Sequence, residues 1–266
     1  MSRYPRSGIG RLSRRLCIGL PLAAVLALVV SASAYAIRAE FGKLVVSATA
    51  EMQPRALPRF GGAPVILSTT TRIGTKDGSL PAALKTLTFE LDRNGSIETK
   101  GLPTCTLAKL ENTTPQQARS RCGEALVGTG SGSARVQLPG TAPVKISSPL
   151  SFFNAPPSGG RPTIIAHAYE TLPKPQTLLV PIVIEKVHDG RYGFRAEVEL
   201  PPIAEGYGSP ILAQATLGLT YRHGGRKVGF INARCNGGRL QVEGKMTFAN
   251  GNFFPATLTS PCHVAR

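Results

Sequence analysis

The chain has 266 residues, 42% of them hydrophobic and 17% charged, with a formal net charge of +16. That is enough apolar side chain for a core, which excludes a disordered polyelectrolyte, and a single long apolar run excludes a multi-span membrane protein. Its 29 glycines and 22 prolines are too many for a helical bundle and fit short strands joined by turns.

The first segment reads as an address. Arg3, Arg6, Arg11, Arg14 and Arg15 precede an apolar run from Leu16 to Val30, with no acidic residue among them. The segment ends in small residues, with Ala34 and Ala36 at the positions a signal peptidase inspects. Cleavage is expected after Ala36, leaving 37–266 as the mature domain. The rival is an uncleaved, single-pass anchor through residues 16–37. No charge occurs from Leu16 to Ile37, a run of 22 residues, and about 20 suffice to span a bilayer. Arg14 and Arg15 would then hold the cytoplasmic side. Ser13-Arg14-Arg15 also looks like part of a twin-arginine signal. The residues after it fit that signal loosely, so the general secretory route is the default. Cys17 precedes the run and is badly placed for lipoprotein processing. Loss of residues 1–36 removes five arginines and no acid, so the mature charge is +11. Such a charge favours contact with anionic envelope polymers or lipid headgroups, but no run of four or more basic residues occurs, and scattered Lys and Arg also serve simply to keep an exported domain soluble.

Alternating apolar residues then recur along the chain. Runs at Leu44–Thr49 and Val65–Ile73 are followed by Leu87, Phe89 and Leu91, which lead to a hairpin turn at Asn94-Gly95 and on to Ile97. Thr114-Pro115-Gln116-Gln117 starts a short helix over 115–122: Thr114 caps, Pro115 suits the first turn, Gln117 completes a capping box, and Gly123 stops it. Gly128 to Ser133 reads as a flexible turn between strands. Further runs are Ala134–Leu138, Val144–Phe153, Thr163–Tyr169 and Leu178–Val187, with Pro181 suggesting an edge strand or a bulge. Phe194, Ala196, Val198 and Leu200 alternate with Arg195, Glu197 and Glu199. Leu217–Tyr221 turns at His223-Gly224-Gly225 towards Val228–Ile231, and Leu240–Phe248 turns at Asn250-Gly251 towards Phe254 and Leu258. About twelve strands and no long amphipathic helix predict an all-β fold, a two-sheet sandwich or jelly roll. Residues 139–162 are richest in Pro, Gly and Ser. One domain is preferred, with two subdomains joined there as the alternative.

The cysteines carry the firmest structural expectation. Cys105, Cys122, Cys235 and Cys262 follow the signal, and an even count in an exported chain reads as disulfides. Of three pairings, Cys105–Cys122 and Cys235–Cys262 are favoured, because each pair is close in sequence and bounds a plausible substructure. Loop entropy makes each worth roughly 3 to 3.6 kcal/mol. No CxxC occurs and no His stands at ligand spacing to a Cys, which argues against zinc.

Tests for chemistry come back bland. The glycine-rich run fails the nucleophile-elbow and dinucleotide patterns, since Thr129, Ser131 and Ser133 stand where glycines are needed, and Gly244-Lys245 fails the phosphate-loop pattern because Met246 follows it. His167, His188, His223 and His263 form no local metal pair. His188-Asp189-Gly190 reads as a turn, and Glu197 and Glu199 as a solvated strand face. Asp92 and Asn94 are a weak calcium loop. Arg222, Arg226, Lys227, Arg234 and Arg239 lack the interleaved aromatics of a nucleic-acid surface, so no specific nucleic-acid partner is expected. Tryptophan is absent, and only Tyr169, Tyr192 and Tyr207 are expected as exposed rings, which disfavours a stacked-sugar platform. No catalytic, cofactor or metal residue emerges.

Gly101-Leu102-Pro103-Thr104-Cys105, then Cys122, Ala125, Val127-Gly128 and Gly130, form one distinctive stretch. Ala233 to Gly238, Thr247 to Gly251 and Pro261-Cys262 form another. Together they resemble a group of exported proteins of high-GC actinobacteria for which no activity is assigned. The resemblance covers most of the mature chain. It implies an exported β-rich domain with local disulfides and carries over no catalytic residue.

The leading expectation is therefore an exported, disulfide-stapled sandwich, secreted or envelope-associated, that binds or supports something without catalysis. The rival is a secreted hydrolase. A hydrolase predicts a deep pocket with a His beside a Ser or carboxylate, and a binding module predicts a filled core and a shallow surface.

Overall fold

Alternation of apolar and polar side chains suits a pleated surface with one buried face. In the computed structural model, which describes residues 35–265, it becomes twelve long antiparallel strands. In chain order these are β1 (Tyr35–Phe41), β2 (Leu44–Gln53), β3 (Ile66–Thr75), β4 (Leu84–Asp92), β5 (Leu126–Val136) and β6 (Val144–Ser158). They continue as β7 (Arg161–Glu170), β8 (Gln176–Asp189), β9 (Tyr192–Glu199), β10 (Gly208–Leu217), β11 (Arg239–Phe248) and β12 (Phe253–Pro261). Residues 1–34, and with them the export segment, Cys17 and Ala34, lie outside the described residues; Ala36 and Ile37 belong to β1.

The sandwich expectation is corrected. All twelve strands form one sheet, ordered β1-β2-β3-β10-β5-β6-β7-β8-β9-β4-β11-β12, and its two end strands β1 and β12 come to lie side by side. Strand twist accumulates across a sheet this wide, and the sheet curls instead of staying open. Leu44 and Val46 of β2 pack with Met246, Phe248, Phe254 and Ala256 of β11 and β12, and Ile37 and Ala39 of β1 join them. The near-closed sheet is thus sealed at its seam by side chains, without a hydrogen-bonded ladder between β1 and β12.

The glycine-rich run is the second correction. It lies inside β5 and is not a turn. A Cβ at Gly128 would stand 2.7 Å from the Thr216 carbonyl oxygen, and one at Gly130 would collide with the Gln214 carbonyl oxygen. Glycine here lets β10 approach β5 closely enough for the sheet to bend. The third correction is Asn94-Gly95, which makes no hairpin. Asp92 accepts from the Asn94 backbone N–H and side-chain amide, and Gly95–Ile97 leaves to pair with Ile231–Ala233. Asn250-Gly251 and Gly224-Gly225 do reverse their hairpins, with positive φ at Gly224, Gly225 and Gly251. Pro181 lies on a strand flanked on both sides, but pairing with β9 begins only at Val183↔Glu197. A missing N–H at residue 181 therefore costs no sheet bond on that side.

One end of the sheet is plugged. Ile231–Ala233 pairs with both Ala63–Pro64 and Gly95–Ile97, and His263–Val264 runs parallel to Ala56–Leu57. The Cys235–Cys262 disulfide ties this cap together, and Leu57 and Phe230 are fully buried within it.

The second disulfide, Cys105–Cys122, pins α1 (Leu107–Leu110) and α2 (Pro115–Cys122). The α2 helix has the expected bounds and capping box; α1 was not foreseen. Leu110, Ala118 and Ala125 bury Phe153 and Ile165 on the outside of β6 and β7.

Candidate functional site

Register places inner and outer side chains row by row. One inner row across the middle of the sheet is Ala48, Thr71, Ala213, Gly132 and Ser148. On the opposite wall the row is Ala196, Phe89, Gly244 and Ala256. Except for Phe89, these side chains are small. The Ala, Gly, Ser and Thr positions widen the interior locally, while larger apolar side chains, among them Phe89, Leu150, Val180 and Ile184, line the rest of it.

The result is an interior hollow of ≈ 390 Å³ lined by these rows, within the roughly 300–1,000 Å³ range of small-molecule pockets. Along β4 the inner Leu87, Phe89 and Leu91 are only half-buried, while the outer Glu90 is 1% exposed. In a filled core the order would be reversed. The binding-module expectation of a filled core is therefore not met: the chain is deep inside, and apolar.

The outer row over the same strands is Thr49, Thr70, Gln214 and Ser131. Polar outside and apolar inside is the reverse of a membrane-spanning barrel. Among the described residues no helix is long and apolar enough to cross a membrane.

The end opposite the plug carries the one acidic side chain on the inner face of β7. Ile164, Ala166, Ala168 and Glu170 share that face by alternation, and all four line the hollow. Glu170 is 4% exposed. It accepts from the Ala204 backbone N–H at 2.9 Å and from the Gln176 side-chain amide. Ala204 and Glu205 have φ of 50° and 56°, left-handed values uncommon for non-glycine residues. Glu170 thus anchors a strained turn whose neighbours Pro201 and Ile203 also line the hollow.

The charged residues singled out from sequence lie elsewhere. Glu197 and Glu199 are exposed. Arg195 faces outwards and pairs with Glu90, which Lys245 also contacts at 2.8 Å. Lys245, then Arg195, hold the Glu90 carboxyl below its ordinary value of 4.5 against the opposing push of burial. Ser131 donates to Gln214, and the Ser133 and Ser147 hydroxyls bond each other. His188, His223 and His263 are exposed, as are Arg222, Arg226, Lys227 and Arg239; Tyr207 is exposed, Tyr169 and Tyr192 half-buried.

His167 is fully buried, on the outer face of β7 beneath the helices. The Thr113 hydroxyl donates to the Leu110 carbonyl. His167 Nε2–H is therefore the donor shared by Thr113 Oγ1 at 3.0 Å and the Thr113 carbonyl at 3.1 Å. Burial holds the imidazole below its ordinary value of 6.5. Its partners are a threonine and a backbone carbonyl, not a serine or a carboxylate. It ties the helices to the sheet. Among the described residues, no histidine lines the hollow and no cluster of metal-ligating side chains occurs.

Sequence reasoning missed the inner rows and Glu170. The available signal was alanine or glycine where alternation calls for a large apolar residue, as at Ala48, Ala166, Ala196 and Ala256. No protein-family model matches this sequence, and no curated protein matches it.

Proposed function

We propose that this chain is an exported, non-catalytic envelope protein whose curled sheet holds an apolar ligand. The observation that carries the reading is the hollow inside the curled sheet, lined by apolar side chains and widened by small inner residues, with a plug closing one end. Its apolar lining favours hydrocarbon over polar solutes, because burying an unpaired polar group is costly. Two disulfides fit an oxidising compartment, and the basic charge would draw the protein to anionic lipid or wall surfaces.

The test is solvent extraction of protein isolated from cells expressing the full chain, followed by lipid analysis and titration with an uncharged fluorescent probe. Co-purifying lipid or saturable probe binding is expected. Ala166→Phe, which puts a ring into the hollow from β7, should abolish binding in a folded protein, whereas Glu197→Ala on the outer face should not. A lipid-free protein that ignores the probe, or an Ala166→Phe variant that binds normally, would sink the proposal.

A membrane-anchored ectodomain is a second reading, favoured by one observation. Tyr35 and Ala36 pair with Ala50 and Thr49 as the start of β1, so processing after Ala36 would remove two residues from a paired strand. Intact mass of the cell-bound and released protein separates the two forms.

A further inference from the structure

Resting on the reading of the hollow as a ligand site, we infer that its ligand is an uncharged long-chain molecule with a hydroxyl-type head, and that Glu170 selects against anionic amphiphiles. The sign is opposite to what the basic exterior suggests. Apart from Glu170, the one charged residue beside the hollow is Arg195, and its guanidinium is turned outwards onto Glu90. No cation is therefore in place to meet a fatty carboxylate or phosphate inside, and such a charge would be buried unpaired.

Glu170 sets the other half of the preference. Two of its lone-pair sites are taken by the Ala204 N–H and the Gln176 amide, and a carboxylate has about four. An alcohol can donate a hydrogen bond to a remaining site. An ester has no donor, and a carboxylate or phosphate would meet like charge. The inner stripe from Ile164 to Glu170 covers six residue steps, about 20 Å of strand. It starts near the Phe230 plug and ends at the carboxylate. A long aliphatic chain laid along it reaches Glu170 with its head, while its tail runs past the apolar Ala168, Ala166 and Ile164.

The test uses protein from cells expressing the full chain, stripped of lipid, with an uncharged fluorescent probe displaced by hexadecanol, methyl hexadecanoate or hexadecanoate. The expected order of affinity is alcohol, ester, acid, with the acid about tenfold or more weaker than the alcohol. Glu170→Gln removes the charge at nearly constant shape and should narrow the gap between acid and alcohol by the like-charge part, leaving the cost of burying an unpaired carboxylate. If that variant does not fold, the order of the three ligands on the native protein decides alone. Equal affinities, tighter binding of the acid, or an unchanged gap in a folded Glu170→Gln protein would overturn the head-group assignment while leaving the cavity reading standing. Failure of the probe and all three ligands to bind would overturn the cavity reading itself, and this inference with it.

Discussion

The waist of the sheet and its plugged end use the same strands with opposite outcomes. Ala48 and Met52 on β2, Thr71 and Leu67 on β3, and Ala213 and Leu217 on β10 stand four positions apart, and each pair shares the inner face. At the plugged end the larger members meet Phe152, Ile164 and Phe230 in a continuous apolar cluster. At the waist the smaller members leave space. Alternation decides which face a side chain takes; side-chain volume decides whether that face becomes core or cavity.

The comparison can be broken from the plugged side first. Phe230→Ala removes a fully buried ring and should cost about 3–5 kcal/mol in denaturant unfolding. A loss below about 1 kcal/mol would mean the plug is as loose as the waist. Replacing both Cys235 and Cys262 by serine opens a loop of separation 27 and should cost roughly 3.6 kcal/mol. The loss should appear first as faster amide exchange in the cap strands, with the waist strands following later.

The close approach of β10 to β5 supplies the next prediction. Gly130→Val drives a branched side chain into the Gln214 carbonyl, at an expected cost of about 1–3 kcal/mol. Thermal unfolding that matches the native protein would show that β5 and β10 separate freely. The smallest effect concerns the outer face. Glu90 has a folded value below its ordinary 4.5. Its contribution is present above pH 4.5 and is lost as pH falls through the folded value. Glu90→Gln should therefore cost about 1 kcal/mol near neutral pH and nothing once the native carboxyl is protonated. Unfolding curves that stay parallel across that range would remove the Glu90 ion pairs from the account of stability.

Much of the local structure was legible because its causes are local. The capping box of α2 needs only Thr114 and Gln117, three residues apart. The Asn250-Gly251 and Gly224-Gly225 turns need only glycines able to take positive φ. Each disulfide joins cysteines close in sequence. Asn94-Gly95 misled because a partner from far along the chain, Ile231–Ala233, took the strand that a hairpin would have used. The Gly128–Ser133 run misled because the reason for its glycines lies 83 or more residues away, at Gln214 and Thr216.

By itself, the sequence determined that the chain would be strand-rich, which residues alternate and where a short helix is capped, and it favoured the cysteine pairing that the structure shows. All of these follow from neighbours within a few turns of chain. Only the tertiary structure decided that there would be one curled sheet instead of two stacked ones. β4 pairs with β9 and β11, and β10 with β3 and β5, and these long-range pairings are not encoded in any one strand's pattern. Closure then gave the small inner residues their meaning. An alanine on an isolated strand is merely a weak apolar position, but alanines and glycines facing inwards in a nearly closed sheet help to open a cavity, and Glu170 becomes an acidic side chain on its wall.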